Sequence, residues 1–368
     1  MNQIIRRLLV GGLLAAMTAS SFSGCASAPQ PAASTLAASA ASSSAVSAPA
    51  SSASEASSSA DAHLSGKLVI YSAGPSQLIQ NITAGFQAKT GLKADVFSST
   101  TGKILSRVEA EKSNPQADVL ILASLSSAIG LKKEGITEPY ANAKNADKMV
   151  SDWKDAENNY FCYSGSALCI VYNTKLVENP PKDWSDLTAP QYKNQLMMPD
   201  PTSSGSCMDF VTGYVNKNGD KAWSYFQDLK NNGMKIANSN DTALQPVLTG
   251  SKSIVVSGVD YMTLADKKKG EPVDVVYPSS GTVISPRPAL IVKGSKNETN
   301  AQAFIDYLLS DEAQKMVADA YLLPGRSDVS VEGKKSAKDI TSLDVDWTWM
   351  AGNSKPVGSK FDKIFGVK

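Results

Sequence analysis

The stretch KLVIYSAGPSQLIQNITAGFQAKTGLKADVFSSTTGKILSRVEAEK, residues 67–112, decides the fold. KLVIYS, residues 67–72, is a short apolar run rich in β-formers. Beyond AGPS, Leu78, Ile79, Ile82 and Phe86 recur at helical spacing, and Gly91 supplies a stop. LKADVFSS predicts a second strand, and TTGKILSRVEAEK a second helix with Ile104, Leu105 and Val108 on one face. ADVLILAS, residues 117–124, reads as a third strand. The order is βαβαβ, the opening of a parallel α/β lobe.

In such sheets ligands bind beyond the carboxyl ends of the strands, where helices begin. Three strand ends here carry small hydroxylated residues: SAGPS (72–76), SSTTGK (98–103) and ASLSS (123–127). A cap needs one hydroxyl, and these stretches hold several. A nucleotide-binding P-loop would need glycine where Phe97 stands and Ser or Thr where Ile104 stands, so that reading fails. What remains is a set of helix N-termini whose free N–H groups and hydroxyls meet an oxyanion or a polyol. Lys103 reads as a solvated charge.

The pattern continues along the chain. ALCIVYN (167–173) is a strand of the buried type, and MMPDP (197–201) delivers serines to a helix starting near Ser203. SIVVSGVDYM (253–262) places Gly258 and Asp260 at another strand-to-helix junction. VDVVYPSSGTVISPRPALIVKG (273–294) reads as one returning strand. NAQAFIDYLLSDEAQKMVADAYLLPGR (300–326) reads as one periodic helix ended by Pro324 and Gly325. The tail beyond about residue 330 has no clear pattern.

The N-terminus reads as a targeting segment, residues 1–24, with Arg6 and Arg7 ahead of the apolar LLVGGLLAAMTAS. It ends in FSGC, which resembles a bacterial lipobox and implies cleavage before Cys25 and lipidation of its sulfur. Residues 25–61 are then the lipidated cysteine and an Ala/Ser/Pro tether, too poor in apolar groups to offset ordering entropy. No later apolar run reaches membrane-spanning length.

Residues 62–368 are long enough for two lobes with their own cores. Lys and Arg number 36 against 35 Asp and Glu, a balance that does not point to nucleic acid. The single histidine, His63, lies at the end of the tether, so a Ser-His-Asp or Cys-His arrangement is not available in the folded body. No GxSxG elbow is present either, which disfavours a secreted hydrolase. Cys162, Cys169 and Cys207 lack zinc-site spacing. Cys162 and Cys169 would meet only if CYSGSALC made a tight hairpin, and that disulfide is not expected.

Together these segments resemble the ferric-iron-type periplasmic binding proteins of ABC importers, a family whose relatives also bind thiamine, phosphonates and sugar phosphates. The resemblance rests on residues 68–120, on NPPKDWSDLTAPQYKNQLMMPDPTSSGS (179–206) and on residues 300–329, and covers nearly all of 67–330. It implies an α/β, two-lobed type II periplasmic-binding-protein fold with the ligand cleft between lobes. Lobe I would hold about 67–165 plus part of 282–330, and lobe II about 166–281, with the C-terminal tail unassigned. It also implies a non-enzymatic monomer without cofactor, anchored on the outer side of the cytoplasmic membrane, whose closed form docks on a permease with a separate ATPase. A sensor ectodomain reporting to a receptor is the alternative of another class.

The family's iron binders use a histidine, a glutamate and two adjacent tyrosines. Here the body lacks histidine, Ala123 stands at the glutamate's place, and Tyr261 is alone in VDYM. Ferric ion is therefore the second reading, and a small organic phosphate or phosphonate the first. The expected ligand-binding residues are Ser72, Ser98, Ser99, Thr100, Thr101, Gly102, Ser124, Ser203 and Ser204 around the oxyanion. Asp260 is expected on the organic part, with Tyr261 as a stacking surface and Trp184 in the core. No metal ligand set is expected.

Overall fold

A computed structural model describes residues 64–367. The targeting segment, Cys25 and the tether lie outside the described residues. In chain order the elements are β1 (Lys67–Ser72), α1 (Ser76–Thr90), β2 (Lys93–Ser98), α2 (Thr101–Ala110), β3 (Val119–Ile121), α3 (Leu125–Lys133), β4 (Thr137–Glu138) and β5 (Phe161–Asn173). Then come β6 (Leu196–Pro199), α4 (Gly205–Asn218), α5 (Asp220–Asn231), β7 (Lys235–Ala237), α6 (Asn240–Leu248), β8 (Ile254–Val259), α7 (Asp260–Lys268) and β9 (Val273–Val276). β10 (Ile284–Val292), α8 (Glu298–Leu308), α9 (Asp311–Asp319), β11 (Leu323–Pro324) and α10 (Trp347–Phe365) complete the chain.

The strands line up as β2-β1-β3-β10-β5-β8-β6-β7. β1, β2 and β3 pair in parallel, as the opening βαβαβ pattern requires. β6, β7 and β8 form a second parallel group. β5 and β10 run antiparallel to their neighbours and join the two halves. β5 is shared: residues 161–167 pair with β10, and residues 168–173 pair with β8 and β9. It is one continuous strand, so CYSGSALC makes no hairpin. Cys162 and Cys169 lie seven residues apart along it, roughly 23 Å at strand rise, and both are free and buried.

Each half is covered on both faces, which is why its strands read as continuous apolar runs. In the first half α1, α8 and α9 pack one face, where Phe86 and Phe304 meet edge to face with centroids 5.3 Å apart. Ile104 and Leu125, from α2 and α3, cover the other face. In the second half Trp184, Phe210, Phe226 and Phe361 form the larger core, and Leu244 and Val247 of α6 the smaller. Trp184 is fully buried with its indole N–H donating to Gly281 O at 3.0 Å, the core role expected of it.

Three elements differ from their sequence reading. Residues 300–326 make two helices, because the Ser310 side chain accepts from the Ala313 N–H and starts α9 anew. Residues 273–294 make two strands, β9 and β10, which pair with different stretches of β5. The tail supplies α10, a 19-residue helix with Pro356 and Gly352 inside it, which hid its periodicity. It packs on α3 of the first half and on α4 and α5 of the second. Among the described residues no helix is long and apolar enough to cross a membrane.

Asp209, on α4, ties the halves together. Its fully buried carboxylate accepts from Ser124 Oγ (2.8 Å), Ser126 Oγ (2.6 Å), Leu125 N (3.1 Å) and Ser285 Oγ (2.8 Å). Burial pushes its pKa from 3.8 to about 6, against the four hydrogen bonds that pull it down. An acid with a raised native pKa stabilises the fold below its unfolded pKa, and that contribution is lost as pH rises through 6. Between pH 4 and 7 the wild type should therefore lose on the order of 3 kcal/mol relative to Asp209→Asn, readable from urea melts of both at the two pH values. Parallel pH profiles would reject the assignment.

Candidate ligand-binding cleft

The SSTTGK stretch is turned to the opposite half of the protein. Ser98 is exposed at the end of β2, and Lys103 is exposed on α2. Ser99 N–H donates to Ser72 O at 3.0 Å. Thr100 Oγ1 accepts from Ser203 Oγ at 3.3 Å, and Thr101 Oγ1 from the Ala123 N–H at 3.2 Å. Gly102 N–H donates to Ser203 O at 3.1 Å, and a Cβ at Gly102 would run into the Thr202 carbonyl. Thus one free N–H of α2, that of Gly102, meets a carbonyl from the loop before α4, and this contact excludes any side chain at position 102. Gly102→Val should keep the fold but hold the two halves apart, seen as a larger radius of gyration in solution scattering. An unchanged radius would count against the contact.

Other expected residues are also satisfied by protein. Ser124 caps α3, accepting from the Ser127 N–H at 3.1 Å, and donates to Asp209. Asp260 is fully buried and accepts from the Tyr261 N–H (2.8 Å), Tyr277 Oη (3.1 Å) and Lys334 Nζ (2.8 Å). Lys334 comes from the tail and also donates to Tyr321 O at 2.6 Å. Ser98, Ser124 and Asp260 therefore do not join the group described next. Removing one partner of a buried ion pair strands the other, so Lys334→Met should cost about 3–5 kcal/mol. The double variant Lys334→Met/Asp260→Asn should recover most of it in a denaturant titration. Equal losses in both variants would contradict the pairing.

Sequence reasoning missed Arg287, whose Nε is among the buried polar atoms without a protein partner. Arg287 sits on β10 opposite Ser164 of β5 and is 2% exposed. One terminal nitrogen donates to Ala73 O at 3.4 Å, Nε has no partner, and Cζ lies 5.2 Å from the centre of the Tyr261 ring. Among the described residues no ion pair includes it. The fold satisfies its other buried arginine fully: Arg326 pairs with Asp311 and Asp328 and donates to Leu309 O.

Beside Arg287 lies the start of α1. Ser72 Oγ accepts from the Gly74 N–H, and no side chain caps this 15-residue helix. The first internal bond runs from the Ile79 N–H to Pro75 O, so the N–H groups of Ser76, Gln77 and Leu78 have no helical acceptor. A Cβ at Gly74 would lie 2.9 Å from Tyr163 Oη, which itself has no partner. Burial holds the phenols of Tyr163 and Tyr261 above their usual pKa, with Arg287 pulling the other way. Both are therefore neutral hydroxyls near pH 7. Ser164 and Ser166 of β5 add two buried hydroxyls without protein partners.

Across the cleft, Ser204 caps α4 and shares the Asn240 amide with Ser206, at 3.1 and 3.2 Å. Ser257, inside β8, is buried at φ 58° with its hydroxyl toward the Cys207 thiol. A groove of about 1100 Å³, lined by Pro75, Ser76, Asp241 and Tyr261 among others, leads outward between α1, α6 and α7. Among the described residues no cluster of three His, Cys, Asp or Glu is placed to hold a metal. The sequence did carry one signal for Arg287. In ISPRPALIV a single charge interrupts an apolar strand between two prolines, and such a charge is buried.

The chain belongs to the bacterial extracellular solute-binding protein family, whose profile matches residues 114–351. It is therefore an extracellular solute-binding protein. A Salmonella typhimurium protein, named provisionally as a 2-aminoethylphosphonate-binding periplasmic protein, is 25% identical over 281 residues, 72% of this chain and 79% of that one. The major ferric iron-binding protein of Neisseria meningitidis is 24% identical over 258 residues, 67% of this chain and 77% of that one. The periplasmic binding protein AfuA from Actinobacillus pleuropneumoniae, solved with exogenous fructose-6-phosphate bound, superposes with a TM-score of 0.76. It is 25% identical over 82% of this chain and 99% of that one.

Proposed function

We propose that this protein captures a small organic phosphate or phosphonate between two lobes and delivers it to an ABC permease with its ATPase. Lobe I comprises β1 to the first half of β5 with β10, α8, α9 and β11. Lobe II runs from the second half of β5 to β9. The crossing strands β5 and β10 serve as the hinge, and ligand contacts with both lobes shift the open–closed equilibrium. Cys25 carries the lipid that tethers this monomer to the outer side of the cytoplasmic membrane. Its task is capture, not turnover.

The observation that carries this reading is the buried guanidinium of Arg287 without a carboxylate. Taking a charge out of water costs several kcal/mol unless a counter-charge offsets it. A phosphoryl group provides that counter-charge and matches the planar donor fork. The uncapped start of α1 adds N–H groups and the positive end of a helix dipole beside it. Ferric ion, the second reading, meets opposition here. Three positive charges about 5 Å from a guanidinium repel by about 10 kcal/mol at an effective dielectric of 20.

The test is a thermal-shift panel on protein refolded to strip carried-over ligand. It would hold hexose phosphates, glycerol phosphates, aminoalkyl phosphonates, thiamine, inorganic phosphate and ferric citrate. A ligand at a hundred times its Kd stabilises by about 2.7 kcal/mol. Arg287→Met should abolish the shift while leaving the ligand-free protein as stable or more so, since an unpaired buried charge is removed. A shift with ferric citrate alone, or an Arg287→Met variant that still binds the phosphorylated compound, would refute the reading.

A further inference from the structure

Lys334 follows the last strand of either lobe, yet its ammonium is held by both lobes. Its neighbours Glu332, Gly333, Lys335 and Ser336 are exposed, while its own side chain is 0% exposed and ends between two acceptors. Nζ donates to Asp260 Oδ2 at 2.8 Å, at the start of α7 in lobe II. It also donates to Tyr321 O at 2.6 Å, in the turn between α9 and β11 of lobe I. Resting on the two-lobe reading above, we propose that residues 329–336 form a latch across the cleft mouth, pinned by Lys334, which holds the lobes together before any ligand arrives.

The chain runs here as a strap. Before it, Arg326 is locked to lobe I by Asp311 and the Leu309 carbonyl. After it, Ala337 packs against the lobe I cluster that holds Ile104 and Leu323. Both ends therefore stay with lobe I, and the middle reaches across to lobe II, where Lys335 Nζ also lies 5.6 Å from the centre of the Tyr277 ring. The crossing falls where the lobes must part. Tyr261, Met262 and Ala265 of α7 line one side of the groove, and Met316 and Ala320 of α9 and its end line the other.

Opening carries α7 away from the turn after α9, and one ammonium cannot follow both acceptors. Whichever acceptor it leaves, a buried polar group loses its donor. Tyr321 is shaped for this contact. It stands at φ 60°, a strained conformation for a non-glycine residue, and presents its carbonyl to Lys334. Its ring meets a second cation, Lys268 of α7, with Nζ 5.4 Å from the ring centre. A lysine that served only to neutralise Asp260 would need no acceptor on lobe I. Hydrogen bonds to charged groups are the stronger ones, so losing one shifts the ratio of closed to open protein about tenfold or more.

Solution scattering on the purified protein, stripped of ligand, reads the latch without knowledge of what binds. Lys334→Met/Asp260→Asn removes both charges, so the fold persists without the pin. Its radius of gyration should exceed that of the wild type and approach that of Gly102→Val. Lys334→Arg, which keeps a cation for both acceptors, should retain the wild-type radius; an equal enlargement there would assign the effect to packing and overturn the pin. A urea melt of the double variant separates opening from unfolding, and expansion without a cooperative transition would also count against the latch. If the double variant keeps the wild-type radius while Gly102→Val is enlarged, the latch is refuted and the two lobes stand. If neither variant is enlarged, the lobes do not part and the two-lobe reading falls with the latch.

Discussion

Everything in this fold hangs on β5 belonging to two half-sheets at once. A strand of 13 residues is long for a globular protein, and its length is what allows it to pair with β10 at one end and with β8 and β9 at the other. The two cores on either side share this strand but not their packing, so each half keeps its own interior while the halves stay connected. The same geometry puts Ser164 and Ser166 at the middle of the molecule, opposite Arg287 and Ser285. A cleft with a polar floor is thus a consequence of where the sheet changes partners.

Around that floor the protein distributes charge unevenly. Asp209, Asp260, Lys334 and Arg326 are all buried, and each has several partners that hold it in one orientation. These groups position helices: Asp209 fixes α4 to the start of α3, and Asp260 fixes α7 to the tail. Arg287 is the exception among them, with a single long bond to a carbonyl. Buried polar groups are ordinarily paired, and the exception at Arg287 is what the proposed capture of an anion rests on.

The fold was largely legible in the sequence because its signals are local. Leu78, Ile79, Ile82 and Phe86 are the buried face of α1, and Gly91 ends that helix at φ 73°. Errors came where a local signal was ambiguous, as at Ser310, which breaks an otherwise unbroken helical period, or in α10, whose Gly352 and Pro356 read as breakers. The cleft was less legible because partnership between distant residues has no local mark. Nothing in SSTTGK tells that Ser203, a hundred residues on, takes the N–H of Gly102. Likewise VDYM does not announce that Lys334 has already claimed its aspartate. Strand ends were located correctly; which of them stay unpartnered depends on the tertiary fold.

The three thiols bear on how such a chain survives outside the cytoplasm. Cys162, Cys169 and Cys207 are wholly buried, burial pushes each thiol far from ionisation, and Cys169 and Cys207 donate to the carbonyls of Gly258 and Pro199. In the native state they are inert. Before folding they are not, and Cys162 and Cys169 close a short loop of the kind an unfolded chain samples most readily. A bond between them would forbid the extended run of β5, since bridged Cα atoms must lie within about 7 Å of each other. Once the protein is folded, the extended strand itself keeps the two thiols apart.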